Sequence, residues 1–158
     1  MSSDPRQLMR TLIASTTAWQ TLVGATGSTA EKITAGEARI FLSGSEGSDA
    51  LTYPHIVLNS TALADQVGDR CFAHYGEIYV SLFVALGSGD LDTESNNLWD
   101  TYLTPLRDAI LDLQGVVTVS TSYIVLSSFE WDYQGLSPVE DQDDVWVCPA
   151  IARWGVRG

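Results

Sequence analysis

Two apolar runs decide the fold predicted for this chain: LTYPHIVLN at residues 51–59 and EIYVSLFVAL at residues 77–86. Both are rich in β-branched and aromatic residues, and the second alternates in part between apolar and polar positions, so each predicts a strand. Apolar residues, Trp99 among them, then recur at spacings of three and four over residues 93–113, which predicts a long helix with one apolar face. Pro105 interrupts that helix and is expected to kink or divide it, because proline lacks the backbone N–H.

The N-terminal residues predict a second amphipathic helix. Asp4 is followed by proline, which is typical of a helix start, and apolar residues at helical spacing extend the prediction over residues 5–23. Residues 25–35 are small and polar and predict no element. Residues 38–42 predict a short strand, and the Gly- and Ser-rich residues 43–49 predict a surface loop.

The C-terminal third of the chain predicts further strands. Short β patterns lie at residues 116–119, 122–126 and 129–133, and the last of them alternates between aromatic and acidic side chains. A polar loop then leads to an apolar run at residues 145–154, which predicts the last strand. Pro149 in this run indicates an edge strand or a bulge, because proline cannot donate to a ladder.

The order of these elements predicts the fold class. Strands that follow one another, rather than alternate with helices, favour an α+β fold with a mostly antiparallel (mixed) sheet of about four to six strands. We expect the N-terminal helix and the long, Pro-kinked helix to pack on one face of that sheet. The chain has 158 residues with no internal repeat and no linker, so residues 1–158 are expected to form a single domain.

The chain is acidic, with 20 Asp and Glu residues against 8 Lys and Arg residues and a net charge of −12. This charge argues against nucleic-acid binding through phosphates, which needs clustered basic residues, and it would repel DNA that passes close by. No apolar run approaches the roughly 20 residues that span a bilayer, and the N-terminus lacks the pattern of a secretory signal. We therefore expect a cytosolic product with no membrane contact. The glycines are dispersed and form no Gly-rich phosphate loop, so no cofactor is expected.

No motif of a known catalytic class stands out. His55 and His74 lie in or beside strand patterns, and Cys71 and Cys148 lack the spacing of a zinc site. We expect two buried thiols, and the sequence leaves a disulfide between them open. A rival interpretation, which no spacing demands, is a small enzyme whose acidic active site draws on Glu130, Asp132, Asp141 or Asp143.

The candidates for a protein contact lie in the C-terminal β region. Three tryptophans crowd there, and because tryptophan is enriched at interface hot spots we predict that at least one contributes to a subunit contact. The acidic residues nearby lack the order of a calcium-binding loop and predict a solvated loop, with contact to a basic partner as the functional alternative. The predicted interaction residues are Trp131, Glu140, Asp141, Asp143, Asp144, Trp146 and Trp154.

Most of the chain resembles the tail terminator proteins (tail completion or minor tail proteins) of long-tailed bacteriophages. The resemblance rests on the amphipathic N-terminal helix, the YPHIVL strand at residues 53–58, the EIYVSLFV strand at residues 77–84 and the helix that follows. The chain departs from the family in length, since the loop at residues 136–144 and the terminal strand look extended. Short acidic α+β proteins of this layout also occur among the head–tail connector proteins of the same phage neck.

The resemblance implies a structural virion protein rather than an enzyme. It implies a protomer of a hexameric ring on the end of the tail tube, where the ring stops tube polymerisation and offers the surface for joining the head. The implied partners are further copies of the chain, the tail tube protein and a head–tail connector or stopper protein, with DNA passing through without specific binding. A connector or stopper (head completion) protein is the alternative role. The strands at residues 145–154 or 53–58 would then meet a neighbour as sheet edges, in a virion assembled in the host cytoplasm.

Overall fold

The computed structural model describes residues 4–42, 52–60, 64–65, 74–86, 90–113, 118–119, 122–132, 135–139 and 144–157. The loop predicted at residues 43–49 lies outside these ranges. The helical segments are α1 (Pro5–Ala14), α2 (Thr17–Leu22), α3 (Thr29–Glu37), α4 (Leu91–Asn97), a π-helical turn (Leu98–Leu103) and α5 (Thr104–Leu113). The strands are β1 (Ile40–Leu42), β2 (His55–Ser60), β3 (Ala64–Asp65), β4 (His74–Ala85), β5 (Thr118–Val119), β6 (Ser122–Trp131), β7 (Ser137–Pro138) and β8 (Val145–Arg157).

The described strands form one mixed sheet. Its order is β1-β2-β4-β8-β6-β5, with β3 paired to β4 and β7 paired to β8. β1 runs parallel to β2, and the other pairings are antiparallel. The predicted α+β fold with a mostly antiparallel sheet is therefore confirmed.

Alternation along the central strands separates a buried face of the sheet from an exposed one. In β4, Ile78, Val80, Leu82 and Val84 are at most 1% exposed, whereas Tyr79 between them is 40% exposed. The buried side chains share one core with apolar residues of α1, α2, the π-helical turn and α5. Burial of each such side chain contributes about 1.5–3 kcal/mol to the free energy of folding. A one-residue slip in strand pairing would turn all of these side chains to the exposed face, so their pattern determines the register.

The N-terminal helix is broken where the apolar periodicity predicts one continuous helix over residues 5–23. Thr16 separates α1 from α2, because it takes extended backbone angles and caps α2. Its hydroxyl oxygen accepts the Trp19 N–H at 3.2 Å, and the hydroxyl donates to the Ile13 carbonyl at 2.7 Å. Threonine side chains compete with the helix for backbone groups in this way, a local effect that apolar spacing does not report.

Helix α3 occupies most of the stretch at residues 25–35 for which the small, polar composition predicts no element. It begins with a capping box, in which the Glu31 N–H donates to the Ser28 hydroxyl at 3.2 Å and the Ser28 N–H donates to the Glu31 carboxylate at 3.4 Å. Serine followed three residues later by glutamate is the sequence signature of such a cap. Gly36 lets α3 lie close to α1, since a Cβ at this position would be 3.2 Å from the Cβ of Ala14.

The long helix starts before the Thr93 position that the sequence predicts. Asp90 is its N-cap and accepts hydrogen bonds from the Thr93 hydroxyl at 2.7 Å and from the Asp92 N–H at 3.1 Å. These hydrogen bonds, the one from Thr93 foremost, lower the pKa of the Asp90 carboxyl. The first turn is thereby anchored by an acid, which also suits the positive end of the helix dipole.

A π-helical turn directly precedes the segment that contains Pro105, the proline predicted to interrupt this helix. The Thr104 N–H donates to the Trp99 carbonyl five residues back, directly before Pro105. In a regular α-helix the ring of proline collides with the carbonyl four residues back, and its missing N–H leaves that carbonyl without a donor. The wider π turn changes the hydrogen-bond pattern just before the proline, and the helix continues into α5.

Strand β8 is central, and the prediction of an edge strand at residues 145–154 was wrong. It pairs with β4 along residues 145–156 and with β6 along residues 150–157. The Asp132 N–H donates to the Pro149 carbonyl at 2.8 Å, so the backbone polar groups of Pro149 point to the β6 side. The pairing of β8 with β6 covers residues 150–157 and does not include Pro149. The ladder therefore requires no backbone N–H from Pro149.

The other predicted edge, at residues 53–58, is also covered, since β1 pairs with residues 56–58 of β2. On the far side of the sheet, β5 pairs only with residues 122–123 of β6. β6 joins the two runs predicted at residues 122–126 and 129–133 into one strand, with a register shift between Leu126 and Ser128. Short outer strands and a bulge are common protections of a sheet edge.

Candidate functional site

The exposed face of the sheet, called here the open face, is the candidate interaction surface. It is defined by exposed side chains that alternate with the buried ones: Asn59, Tyr79, Glu130, Ile151 and Arg153. Four of them form one row across four strands, because Asn59 pairs with Tyr79, Tyr79 with Ile151, and Ile151 with Glu130. Tyr79 and Ile151, at 40% and 37% exposure, therefore make a small apolar centre between polar neighbours.

A depression of about 220 Å³ lies beside this centre. Its lining combines apolar and charged side chains. Such a lining can bind an apolar group and fix its orientation through a neighbouring polar group. Its lining residues are Ser128, Glu130, Trp131, Asp132, Ile151 and Arg153.

Arg107 of α5 contacts Glu130, one of the residues that line the depression. Its Nε donates to the Phe129 carbonyl at 3.1 Å, and its Nη2 lies 3.1 Å from a carboxylate oxygen of Glu130. The hydrogen bond to Glu130 raises the pKa of the Arg107 guanidinium. One side chain therefore covers a backbone group of β6 and partly neutralises a carboxylate of the open face.

The other two charged side chains of the depression are Asp132, which accepts a backbone hydrogen bond, and Arg153, which forms a long ion pair. Asp132 accepts the Gly135 N–H at 3.3 Å. Arg153 lies 3.8 Å from the Glu77 carboxylate, and its side chain is 66% exposed. Such a long and solvated ion pair contributes little to stability, so the guanidinium of Arg153 is available to an incoming group.

Trp99 is the second exposed apolar site, on the helical layer rather than on the open face. The sequence places it on the apolar stripe of the long helix, but the structure leaves it 43% exposed while Leu98 and Leu103 are buried. The π-helical turn explains the difference, because one extra residue per turn rotates the following positions relative to a regular helix. Periodicity at 3.6 residues per turn cannot anticipate that rotation.

The three tryptophans predicted as contact residues lie in the core of the chain. Trp131, Trp146 and Trp154 are at most 9% exposed. The Trp131 indole N–H donates to the Leu103 carbonyl at 2.8 Å and ties β6 to the π-helical turn. Within the described ranges, the indole nitrogens of Trp146 and Trp154 have no hydrogen-bond partner. Their role in a subunit contact stays a prediction. Their burial shows that they pack in the core of the single chain.

The predicted acidic contact residues are described only in part. Glu140, Asp141 and Asp143 lie outside the described residues. Asp144 is exposed, and its backbone carbonyl accepts the Leu86 N–H at 2.8 Å. That bond ties the start of β8 to the end of β4 and leaves the Asp144 side chain at the surface.

The residues considered for chemistry do not assemble into a site within the described ranges. His55 is buried and its ring stacks on Phe83, with centroids 4.7 Å apart and planes 9° apart. Cys148 is a buried free thiol, and burial raises the pKa of Cys148 to about 12. Cys71 lies outside the described residues, as does the side chain of His74. In the part of the chain that the structure describes, no group of three His, Cys, Asp or Glu residues is placed to hold a metal ion.

The helices of the described residues include none that is both long and apolar enough to cross a membrane.

The fold is similar to that of a chain in the solved structure of the virion of a native gene transfer agent (GTA) particle. The two align with a TM-score of 0.53 over 97% of this chain and 94% of that chain, at 13% sequence identity. At this identity the likeness concerns the fold alone. No protein-family model and no curated protein matches the chain.

Proposed function

We propose that this chain is a structural virion protein, a tail terminator that forms a hexameric ring on the end of a phage tail tube. The ring stops tube polymerisation and offers the surface to which the head joins. The observation that carries the proposal is the fold shared, over nearly the whole chain, with a chain of a GTA virion. The sequence resemblance to tail terminators supports the same class, and the extent of the shared fold supports treating residues 1–158 as one domain.

The charge of the chain suits this role. Each copy carries −12, so six copies would carry about −72 before counterion screening. A channel with that field repels the phosphates of DNA, which passes through without binding. The partners that we propose are further copies of the chain, the tail tube protein and a head–tail connector or stopper protein, in a virion assembled in the host cytoplasm.

Two carboxylates of the rival enzyme interpretation have structural partners. Glu130 is paired with Arg107 across β6 and α5, and Asp132 holds the turn at Gly135. Such contacts favour a structural role for both side chains. They support the virion protein over an enzyme with an acidic active site.

Light scattering after size exclusion, combined with negative-stain electron microscopy, tests the proposal. The protein is examined alone and after mixing with tail tube protein. We expect rings, either free or on tube ends, and tubes whose growth stops when the protein is added. A protein that stays monomeric and forms no ring on tubes would refute the proposal.

A head completion or stopper protein is the second candidate, favoured by the occurrence of the same layout among connectors of the phage neck. The two roles differ in the subassembly that is bound. A terminator binds isolated tail tubes, whereas a stopper binds filled heads, so co-sedimentation with each subassembly separates them.

A further inference from the structure

Three large apolar side chains stand out on the described surface. Among the described residues, those more than a third exposed are Tyr79, Trp99 and Ile151. They fall into two patches, since Tyr79 and Ile151 are cross-strand neighbours on the open face and Trp99 belongs to the helical layer. Tryptophan, tyrosine and arginine are the residue types enriched at the hot spots of protein contacts.

The placement of the two patches fits a contact between different surfaces of identical copies. A closed ring of identical subunits is built from heterologous contacts, in which one patch of each subunit meets another patch of the next. Trp99 is 43% exposed on the helical layer, and the depression beside Ile151 lies on the opposite face of the sheet. A single contact type can therefore use both patches, since every copy presents one of each.

The depression has the chemistry to receive an indole ring. Ile151 supplies apolar surface, and the guanidinium of Arg153 can stack on an aromatic face. Glu130 and Asp132 are engaged within their own chain. Arg153, with its long contact to Glu77, is then the charged group best placed to meet a carboxylate of a neighbour.

The sequence beside Trp99 supplies that carboxylate. Asp100 follows it directly in the π-helical turn and is exposed. An indole and a carboxylate on one copy thus complement an apolar depression and a guanidinium on the next. The pairing brings opposite charges together in a chain whose net charge would otherwise oppose self-association.

We infer that Trp99 of one copy docks in the depression beside Ile151 of the next copy, where Asp100 meets Arg153. The inference rests on the proposed ring and names the surfaces that build it. Each copy uses its helical layer toward one neighbour and its open face toward the other.

Sedimentation velocity over a range of concentrations tests the contact on the full chain. Trp99→Ala and Ile151→Asp are each expected to weaken association by about thirtyfold or more, the size typical of a hot-spot residue. Thr34→Asp is the matched control, because it adds the same charge at an exposed helical position outside both patches. Circular dichroism checks that all three variants are folded, which we expect because the substituted positions are exposed.

Mixing the two interface variants gives a sharper result. The Trp99→Ala chain keeps an intact depression, and the Ile151→Asp chain keeps its tryptophan, so one intact contact forms between them. We expect each variant alone to be monomeric and the equimolar mixture to form dimers of twice the 17.1 kDa chain mass that do not grow further. A mixture that stays monomeric, or a folded single variant that assembles like the wild type, overturns the inference.

A charge reversal tests the polar half of the contact. Asp100→Arg and Arg153→Glu should each weaken association, and the double variant should restore it. Failure of that rescue contradicts the Asp100–Arg153 pairing. A wild type that is monomeric at every concentration overturns the direct contact, whereas the proposed function fails only if no ring forms on tail tubes either.

Discussion

Cys148 should make the stability of the protein fall in alkaline solution. It lies in β8 opposite Leu82 and is fully buried. Because the core cannot solvate a thiolate, burial raises the pKa of Cys148 from 9.0 to about 12. Between these values the folded chain keeps the thiol proton that the unfolded chain has released, so rising pH favours unfolding.

The size of the effect follows from the two pKa values. This group's contribution is fully present below pH 9 and is lost as the pH rises toward 12, at about 1.4 kcal/mol for each pH unit. The free energy of unfolding should therefore fall by about 2 kcal/mol near pH 10.5 and by about 4 kcal/mol at pH 12 from this thiol alone.

Urea unfolding followed by tryptophan fluorescence measures this loss. The chain with Cys71→Ala is compared with the chain with both Cys71→Ala and Cys148→Ala, so that other alkaline titrations cancel in the difference. The cavity left by alanine adds a cost that does not vary with pH. We expect the two stability curves to converge above pH 9. Curves that stay parallel from about pH 7 to 10.5 would refute the reasoning.

Three local contacts give further stability predictions, each measured by urea unfolding against the wild type. Ser28→Ala removes the cap of α3 and should cost about 1 kcal/mol, whereas Ser28→Asp keeps an acceptor and should cost little; equal losses would contradict the capping role. Gly36→Ala places a methyl group 3.2 Å from Ala14 and should destabilise by about 1–3 kcal/mol, although alanine favours helices; a more stable variant would show that α1 and α3 can separate. Trp131→Phe removes the donor to the Leu103 carbonyl and should cost about 1–3 kcal/mol; an unchanged midpoint would mean that water replaces the bond.

Much of the sheet could be predicted from the chain alone. β4 is one continuous alternating run, and the burial of one phase of that run specifies strand, face and register together. The alternation in β6 likewise separates buried Phe129 and Trp131 from exposed Glu130, although Trp131 was predicted as a contact residue. Periodicity succeeds there because each strand needs only one apolar face.

The candidate surface was harder to predict. Tyr79 and Ile151 lie at the alternate positions of their strands that are otherwise polar, such as Ser81 and Arg153. An apolar residue at such a position was the one indication in the sequence of an apolar patch on the exposed face. Trp99 gave a misleading signal, since it fits the apolar stripe of a regular helix. Its exposure follows from the π-helical turn at Leu98–Leu103, and the sequence indicates only a kink or break near Pro105.

The sequence by itself determined the class of fold, the acidic charge and the alternation that builds the core, because these depend on composition and on spacing within single elements. Only the tertiary structure decided that β8 is central and that α3 packs against α1. It also decided that Ile151 and Arg153 share a depression while Trp99 is exposed on the helical layer. The physical reason is that strand order and the meeting of distant residues depend on which partners satisfy each backbone group and cover each face, and those partners lie far away along the chain.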